Sequence, residues 1–257
     1  MSIVDKGQII ANNNGVIAEN VVKVYEKGEK VGHADENLLW FNMITGNGTR
    51  TSGTRMFNEC NLDGVVFPKP ISGITMAGRM FYYYRGETLP SKESIDLSKV
   101  DVNTTSTSSD YSVNYAFVSC RKVKYIPDYN IQAPYQYLQT YANNTVLEEI
   151  ELIRCNENTV WNSTFLKDSS LTTIHFEGVI GTSISFSESP LSVESQKDAI
   201  LHLKDYSGTS NEYKHTVTFN ASVFSVLEAE GATAKYNGVP CTWVELIDNK
   251  KWNLVKG

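Results

Sequence analysis

Apolar residues return at a fixed spacing in the middle of the chain. The pattern L-x-x-I-x-L at 147–152 recurs as L-x-x-I-x-F at 171–176, 24 positions later, and its six apolar members are Leu147, Ile150, Leu152, Leu171, Ile174 and Phe176. This period lies within the range of roughly 20–29 residues that is typical of leucine-rich repeats. One such unit buries only one edge of its strand, so neighbouring units must stack to form a continuous apolar column. The pattern therefore predicts short parallel strands in a stacked repeat.

Aromatic residues mark the same repeat. Phe165 lies six residues before Leu171, as Tyr141 lies six before Leu147. Aligned on this position, the anchors are Phe57, Phe81, Phe117, Tyr141 and Phe165, one period apart except for a longer interval after Phe81. Three residues after them come Cys60, Tyr84, Cys120, Asn144 and Asp168, of which the Cys and Asn suit a tight interior turn. We expect these anchors and turns to form the repeat scaffold.

The earlier repeats are less regular. Their expected apolar strand positions are Leu62, Val65 and Phe67 in the first, Ile95 and Leu97 in the second, and Val123 and Ile126 in the third. Asp128 takes the third apolar place of the third repeat. The long interval, 82–116, contains a run of Ser, Thr, Asn and Asp at 103–112, which predicts an exposed loop. Insertions in repeat proteins lie on one face, often the binding face.

The two ends of the chain differ from the repeat. Apolar residues at helical spacing in 17–31, and acidic residues opening 35–44, predict two helices in an N-terminal cap or attachment segment, 1–50. After the repeats (51–186), we expect helices within 189–204, 221–230 and 241–247 and strands at 216–219 and 252–255. We interpret 187–257 as an α+β C-terminal cap, with a separate small α+β domain as the alternative. The predicted fold class is an α+β leucine-rich-repeat solenoid.

Composition and charge exclude some classes of partner. The 257 residues contain 23 Lys and Arg against 29 Asp and Glu, a net charge of -6, which argues against nucleic-acid binding. The longest basic run is Arg121-Lys122 plus Lys124. No apolar stretch approaches the length that a membrane-spanning helix needs, so membrane insertion is not expected. The first residues lack a basic region followed by an apolar one, so we expect synthesis in the cytoplasm without a secretion signal.

The sequence offers no motif for catalysis or for a bound metal. No two of the four cysteines form C-x-x-C, and no two of the four histidines have ligand spacing. Nucleophile-elbow, Walker and dinucleotide motifs are absent from the sequence. An acidic cluster that includes Glu149 and Glu151 allows the hypothesis of a hydrolase, but outward strand positions are normally solvated. We therefore predict a non-enzyme without metal or cofactor.

Tyrosines supply the candidate binding residues. Tyrosine offers a large contact area at low entropic cost and a hydrogen-bonding hydroxyl, which suits recognition of proteins or sugars. Packing or subunit contact is the alternative reading of the same residues. The candidates cluster at the start of the long interval and after the third repeat: Tyr82, Tyr83, Tyr84, Arg85, Tyr129 and Tyr135.

The repeat unit also resembles a known family. The sequence Y-A-F-V-S-C-R-K-V-K-Y-I-P at 115–127 resembles the A-F-x-x-C-x-x-L-x-x-I-x-I-P signature of BspA-type leucine-rich repeats. The segments at 174–186, 17–28 and 47–57 resemble a group of these from tail or baseplate regions of bacteriophages and prophages of gut bacteria.

The resemblance implies a non-enzymatic virion protein, located in the phage tail or at another particle surface. Its repeat surface would bind a host-surface protein or glycan, or neighbouring virion proteins, and it would form a homo-oligomer. Two other interpretations stay open at this point. One is a purely structural decoration or collar component, and the other is a bacterial cell-surface adhesin.

Overall fold

The computed structural model describes residues 51–67 and 69–257, and the backbone of four short strands nearer the start. These are β1 (Ile3–Asp5) paired antiparallel with β2 (Gln8–Ala11), and β3 (Tyr25–Glu26) paired antiparallel with β4 (Glu29–Lys30). The prediction of a helix over 17–31 is therefore wrong at 25–26 and 29–30, where the chain forms β3 and β4. Gly28 lies between the paired strands in the sequence and is a poor helix former. The helix predicted in 35–44 lies outside the described residues.

The strands in the middle of the chain pair at the period read from the sequence. Strands β5 (Tyr125–Ile126), β6 (Glu149–Cys155) and β7 (Thr173–Gly178) form a parallel sheet in that order. Ile126, Ile150 and Ile174 are partners across it, each one period from the next, and all three are buried. Isolated parallel bridges join Ser52 to Met76, Ile71 to Ile95 and Gln136 to Val160, again one period apart. The chain thus returns on itself in parallel coils at the spacing of the sequence pattern.

One predicted core position in β6 is wrong. Ile150 pairs with Ile174, but Phe176 pairs with Ile153 rather than with Leu152. Three residue steps along β6 therefore match two along β7, which is a β-bulge with one extra residue. The bulge turns Ile153 into the core, where it is fully buried, and leaves Leu152 only half-buried. The other predicted apolar positions of β6 and β7 are buried: Leu147, Ile150, Leu171, Ile174 and Phe176.

The five aromatic anchors form one continuous ladder of rings. Ring centroids are 5.4 Å apart for Phe57–Phe81, 5.5 Å for Phe81–Phe117, 5.6 Å for Phe117–Tyr141 and 6.0 Å for Tyr141–Phe165. All five rings are buried and stack nearly parallel. Aromatic pairs of this kind contribute about 0.5–1.5 kcal/mol each beyond the area they bury. The ladder therefore links successive coils through a single column of anchors.

The backbone around each anchor has a repeated conformation that the sequence did not reveal. Arg55 and Glu59, two residues before and after Phe57, have φ of 55° and 58°. The left-handed pair recurs around every anchor, at Arg79 and Tyr83, Tyr115 and Ser119, Gln139 and Asn143, and Ser163 and Lys167. Such residues each cost roughly 1–2 kcal/mol. The geometry is offset by bonds between coils, because the Phe57 N–H donates to the Met80 carbonyl at 2.9 Å and the Phe81 N–H to the Ala116 carbonyl at 2.8 Å.

The first two repeats contribute apolar side chains without forming full strands. Leu62 is buried and Phe67 packs on Phe57 with ring centroids 5.8 Å apart, but Val65 is 37% exposed, so the strand predicted at 62–67 is wrong. Gly64 has φ of 73°, and the Val65 N–H donates to the Leu62 carbonyl, so the chain turns there. The second and third repeats bury their predicted residues, Ile95, Leu97, Val123 and Ile126.

The C-terminal part is built from both helices and strands. Its elements in order are β8 (Ile184–Phe186), α1 (Val193–His202), β9 (Thr216–Phe219), α2 (Ala221–Glu228), β10 (Ala234–Tyr236), β11 (Val239–Cys241), α3 (Trp243–Asn249) and β12 (Asn253–Lys256). Strands β12, β9 and β8 form a parallel sheet. The last predicted helix begins two residues late, because Cys241 ends β11 and Thr242 forms a capping box with Glu245. Phe186 packs on Phe165 at 5.2 Å between ring centroids, which joins this unit to the ring ladder.

Candidate binding groove

A groove opens where the regular period is interrupted. It has a volume of about 910 Å³ and lies between segment 87–93 and residues Arg121 to Pro127, with Val146 completing its lining. We call it the main groove. A second cavity of about 560 Å³, the side groove, is lined by Tyr83 and Arg85 among others, and it shares Arg121 and Lys122 with the main groove. The two grooves therefore adjoin at these two cations.

The wall formed by 87–93 is fixed at its start by Asp63. The Asp63 carboxylate accepts hydrogen bonds from the N–H groups of Glu87 at 2.8 Å and Thr88 at 2.9 Å, and from the Thr88 hydroxyl at 2.9 Å. Burial raises the pKa of Asp63, but these donors outweigh it and lower the pKa overall. A Cβ at Gly86 would lie 2.8 Å from the Asp63 Oδ1 and 2.6 Å from the Tyr84 ring, so glycine lets the chain turn there.

Two buried tyrosines support the same wall from behind. The Tyr84 hydroxyl donates to the Thr88 carbonyl at 2.8 Å and accepts the Leu62 N–H at 3.0 Å, and the Tyr129 hydroxyl donates to the Pro90 carbonyl at 2.5 Å. Burial raises the pKa of both phenols, so they stay neutral donors. Tyr84 and Tyr129 were predicted to contact a ligand. Both rings are buried in the core and position the wall, and Tyr84 also contributes to the lining of the side groove. Direct contact of either residue with a ligand stays a prediction.

Glu151 fixes the far end of the wall. Its carboxylate accepts hydrogen bonds from Lys92 Nζ at 2.6 Å, the Tyr125 hydroxyl at 2.5 Å and the Asp128 N–H at 3.0 Å. The hydrogen bonds from Lys92, Tyr125 and the Asp128 N–H lower the pKa of Glu151 to about 2. A carboxyl held ionised by three donors is a poor general acid. The contacts of Glu151 therefore give it a structural role at this end of the wall.

The cations of the grooves differ in whether they are neutralised. Lys92 is paired with Glu151, and Lys124 with Glu148 at 2.7 Å. Arg121 and Lys122 are exposed, and neither forms a salt bridge with any residue that the structure describes. Lys122 acts on Asp63 only through its charge, which helps lower the pKa of that carboxyl. The junction of the grooves is therefore positive in a chain whose net charge is -6.

The remaining predicted binding residues divide between the grooves and other surfaces. Tyr83 is 43% exposed and lines the side groove with Arg85, which pairs with Glu59 at 3.0 Å. Tyr82 is half-buried and packs edge-on against Tyr83 at 4.5 Å between ring centroids. Tyr135 is exposed but lines neither groove. Of the six candidates, Tyr83 and Arg85 thus combine exposure with a place in the grooves.

The sequence missed the two residues at the junction, although it contained a signal for them. Arg121 and Lys122 form an adjacent basic pair within the chain's longest basic run, and they directly follow the turn residue Cys120. Their proximity to segment 87–93 could not be read from the sequence, because it depends on the path taken by the long interval.

Among the described residues, no group of three or more His, Cys, Asp or Glu could hold a metal ion, and all four cysteines are buried. None of the helices in the described part of the chain is long and apolar enough to cross a membrane. Comparison with known proteins finds no matching family model, no matching curated protein and no matching solved structure.

Proposed function

We propose that the chain is a non-enzymatic leucine-rich-repeat protein of the BspA type that belongs to a bacteriophage or prophage particle. It binds a host-surface structure or a neighbouring virion protein. The observation that carries the proposal is the position of the main groove, at the interval between anchors that is longer than the regular period. Insertions in repeat arrays lie on one face and often form the binding site.

The repeat architecture supports this proposal through its parallel register. Successive coils pair at the regular period through Ile126, Ile150 and Ile174, and their aromatic anchors stack in one column. A stack of this kind exposes an extended surface while its core remains rigid. The assignment to leucine-rich repeats stays a prediction.

The supports behind segment 87–93 favour binding over a purely structural role. Asp63, Tyr84, Tyr129 and Glu151 hold this wall through hydrogen bonds and an ion pair, most of which join residues distant in the sequence. A wall that is ordered before the ligand arrives costs less conformational entropy on binding. This is the arrangement expected of a recognition site.

Two experiments test the proposed function. Mass spectrometry of purified particles, induced from the strain that carries the gene, should detect the chain as a stoichiometric component. Absence from the particles would contradict the virion assignment.

In the second experiment, labelled protein is titrated against intact cells of a panel of gut bacteria. We expect saturable binding to at least one strain, competed by unlabelled protein. Tyr83→Ala should weaken it about tenfold, whereas Tyr111→Ala should not, because Tyr111 is equally exposed but lines neither groove. Equal losses in both variants would argue against the grooves.

A further inference from the structure

We propose that the ligand of the two grooves is a carboxylate-bearing sugar polymer, held by its carboxylates at Arg121 and Lys122. This inference rests on the proposed binding function and names the chemical class of its ligand. The structural basis is the junction of the main and side grooves, where these two cations line both.

The first step concerns charge. Lys92 and Lys124 already hold Glu151 and Glu148, so their charges are neutralised within the protein. Arg121 and Lys122 form no salt bridge to a carboxylate among the described residues. A guanidinium can bind a carboxylate through two parallel hydrogen bonds, and such charge-assisted bonds are about twice as strong as neutral ones. The junction is therefore complementary to carboxylates.

The second step separates a sugar from an acidic peptide. The wall formed by 87–93 carries the exposed acidic residues Glu87 and Glu93. Sugar hydroxyls donate hydrogen bonds to carboxylates, whereas the acidic side chains of a peptide would meet Glu87 and Glu93 with like charge. A polymer that carries both hydroxyl and carboxylate groups satisfies both walls. An acidic peptide satisfies only one.

The third step concerns the apolar part of the lining. Leu89, Pro90, Pro127 and Val146 are half-buried in the groove, and the Tyr125 ring is 42% exposed beside them. The hydroxyl of Tyr125 is engaged by Glu151, which fixes the ring. A fixed aromatic face beside small apolar side chains suits the C–H faces of sugar rings, while the polar rim binds their hydroxyls.

The fourth step concerns length. The main groove alone, at about 910 Å³, is at the upper end of the roughly 300–1,000 Å³ range of small-molecule sites. It adjoins the side groove at the shared residues Arg121 and Lys122, so the combined lining extends from Pro127 to Arg85. Two adjoining grooves of this size favour several linked sugar units over a single one.

The test uses oligogalacturonate as the acidic sugar, with its methyl ester and a glutamate hexapeptide as comparators. Isothermal titration should show binding of oligogalacturonate, and binding weaker by about tenfold or more for the ester, which lacks the charge but keeps the sugar. The peptide should not compete. Tighter binding of the peptide than of the sugar would overturn the proposal, as would equal binding of acid and ester.

Two double variants of equal charge change test whether the cations at the junction hold the sugar. Arg121→Gln/Lys122→Gln should weaken oligogalacturonate binding about tenfold to hundredfold. Lys99→Gln/Lys214→Gln changes the net charge equally at exposed lysines without salt bridges to described residues, and it should leave binding unchanged. If the cell titration described above succeeds while oligogalacturonate fails to bind, the sugar class is wrong and the binding function stands. If the cell titration also fails, binding to a host-surface structure is contradicted as well, and binding to a neighbouring virion protein is the form of the function that stands.

Discussion

The Tyr129 hydroxyl donates a hydrogen bond to the Pro90 carbonyl at 2.5 Å, between residues far apart in the sequence. The Tyr129 ring also stacks on Phe81 and Phe117, with centroids 6.0 Å from each. One side chain thus joins the ring ladder to the wall of the main groove. It links the packing of the repeat to the shape of the binding surface.

Replacing Tyr129 with Phe should loosen the wall while keeping the ring in the core. Loss of the hydroxyl leaves the Pro90 carbonyl without this donor, so the free energy of unfolding should fall by about 1–2 kcal/mol in urea titration. Hydrogen exchange should rise within 87–93. Tyr141→Phe is the matched control, because the Tyr141 ring is also buried in the ladder. Unlike that of Tyr129, its hydroxyl forms none of the hydrogen bonds found between the described residues. Equal effects would contradict the support role.

The bulge in β6 predicts that Ile153 contributes more to the stability of the fold than its neighbour Leu152. Ile153 faces the core beside Phe176, whereas Leu152 is half-buried. Ile153→Ala should destabilise the fold by about 2–4 kcal/mol through a cavity and lost burial, and Leu152→Ala by about 1 kcal/mol or less. Thermal or urea unfolding of both variants measures this. A larger loss for Leu152→Ala would restore the regular pattern and contradict the bulge.

The buried carboxyl of Asp168 should make the free energy of unfolding depend on pH. Its Oδ1 accepts the Asn144 N–H at 2.9 Å, while its Oδ2 has no hydrogen-bond partner among the described residues. Burial raises the pKa of Asp168 to about 8, the Asn144 N–H opposes this, and Glu188 adds to it. A raised folded-state pKa favours the protonated carboxyl. The contribution of Asp168 to the free energy of unfolding is therefore fully present below about pH 4. It is lost as the pH rises to about 8, at up to about 1.4 kcal/mol per pH unit.

Asp168→Asn should flatten this part of the pH profile and stabilise the protein at neutral pH, since an amide can take the same place, as Asn144 does one coil earlier. The measurement is urea unfolding at pH values from about 4 to about 8. Asp101→Asn, at an exposed position, is the control and should leave the slope unchanged. An unchanged slope in Asp168→Asn would show that another group titrates there.

Lys250 closes the C-terminal end of α1. Its Nζ donates to the carbonyls of Ile200 at 3.0 Å, Leu201 at 2.7 Å and Leu203 at 2.8 Å. The last carbonyls of a helix lack partners within the helix, and of these three only the Ile200 carbonyl also accepts a backbone N–H, that of Leu203, among the described residues. Lys250→Met should lower the free energy of unfolding by about 2–3 kcal/mol. The neighbouring Lys251→Met, which loses an exposed hydrogen bond and a cation–π contact to Tyr213, should cost under about 1 kcal/mol. Similar losses in both would contradict a capping role.

The sequence predicted the repeat because its signal lies in side chains that recur at one spacing. Phe117, Tyr141 and Phe165 must all enter the same column, so their shared period is a direct record of packing. The bulge was hidden, since Leu152 and Ile153 are both apolar and either could face the core. The left-handed residues were hidden too, because a glycine in the sequence is the usual sign of this conformation, and Arg55 and Glu59 are not glycines.

The groove was predictable only in its approximate place. The long interval at 82–116 indicated where the surface changes, and Tyr83 and Arg85 were found there. The junction cations come from the next coil, and their approach depends on how Asp63 and Glu151 hold segment 87–93. Such long-range contacts leave no periodic trace in one sequence.

Hydrogen exchange during binding tests the central claim most directly. The protein is compared alone and with cells or envelope of a strain that it binds. We predict protection concentrated in the amides of 87–93 and 121–125, which form the two walls of the main groove. Protection confined to the outer face of β6 and β7, with no change in either wall, would contradict the account.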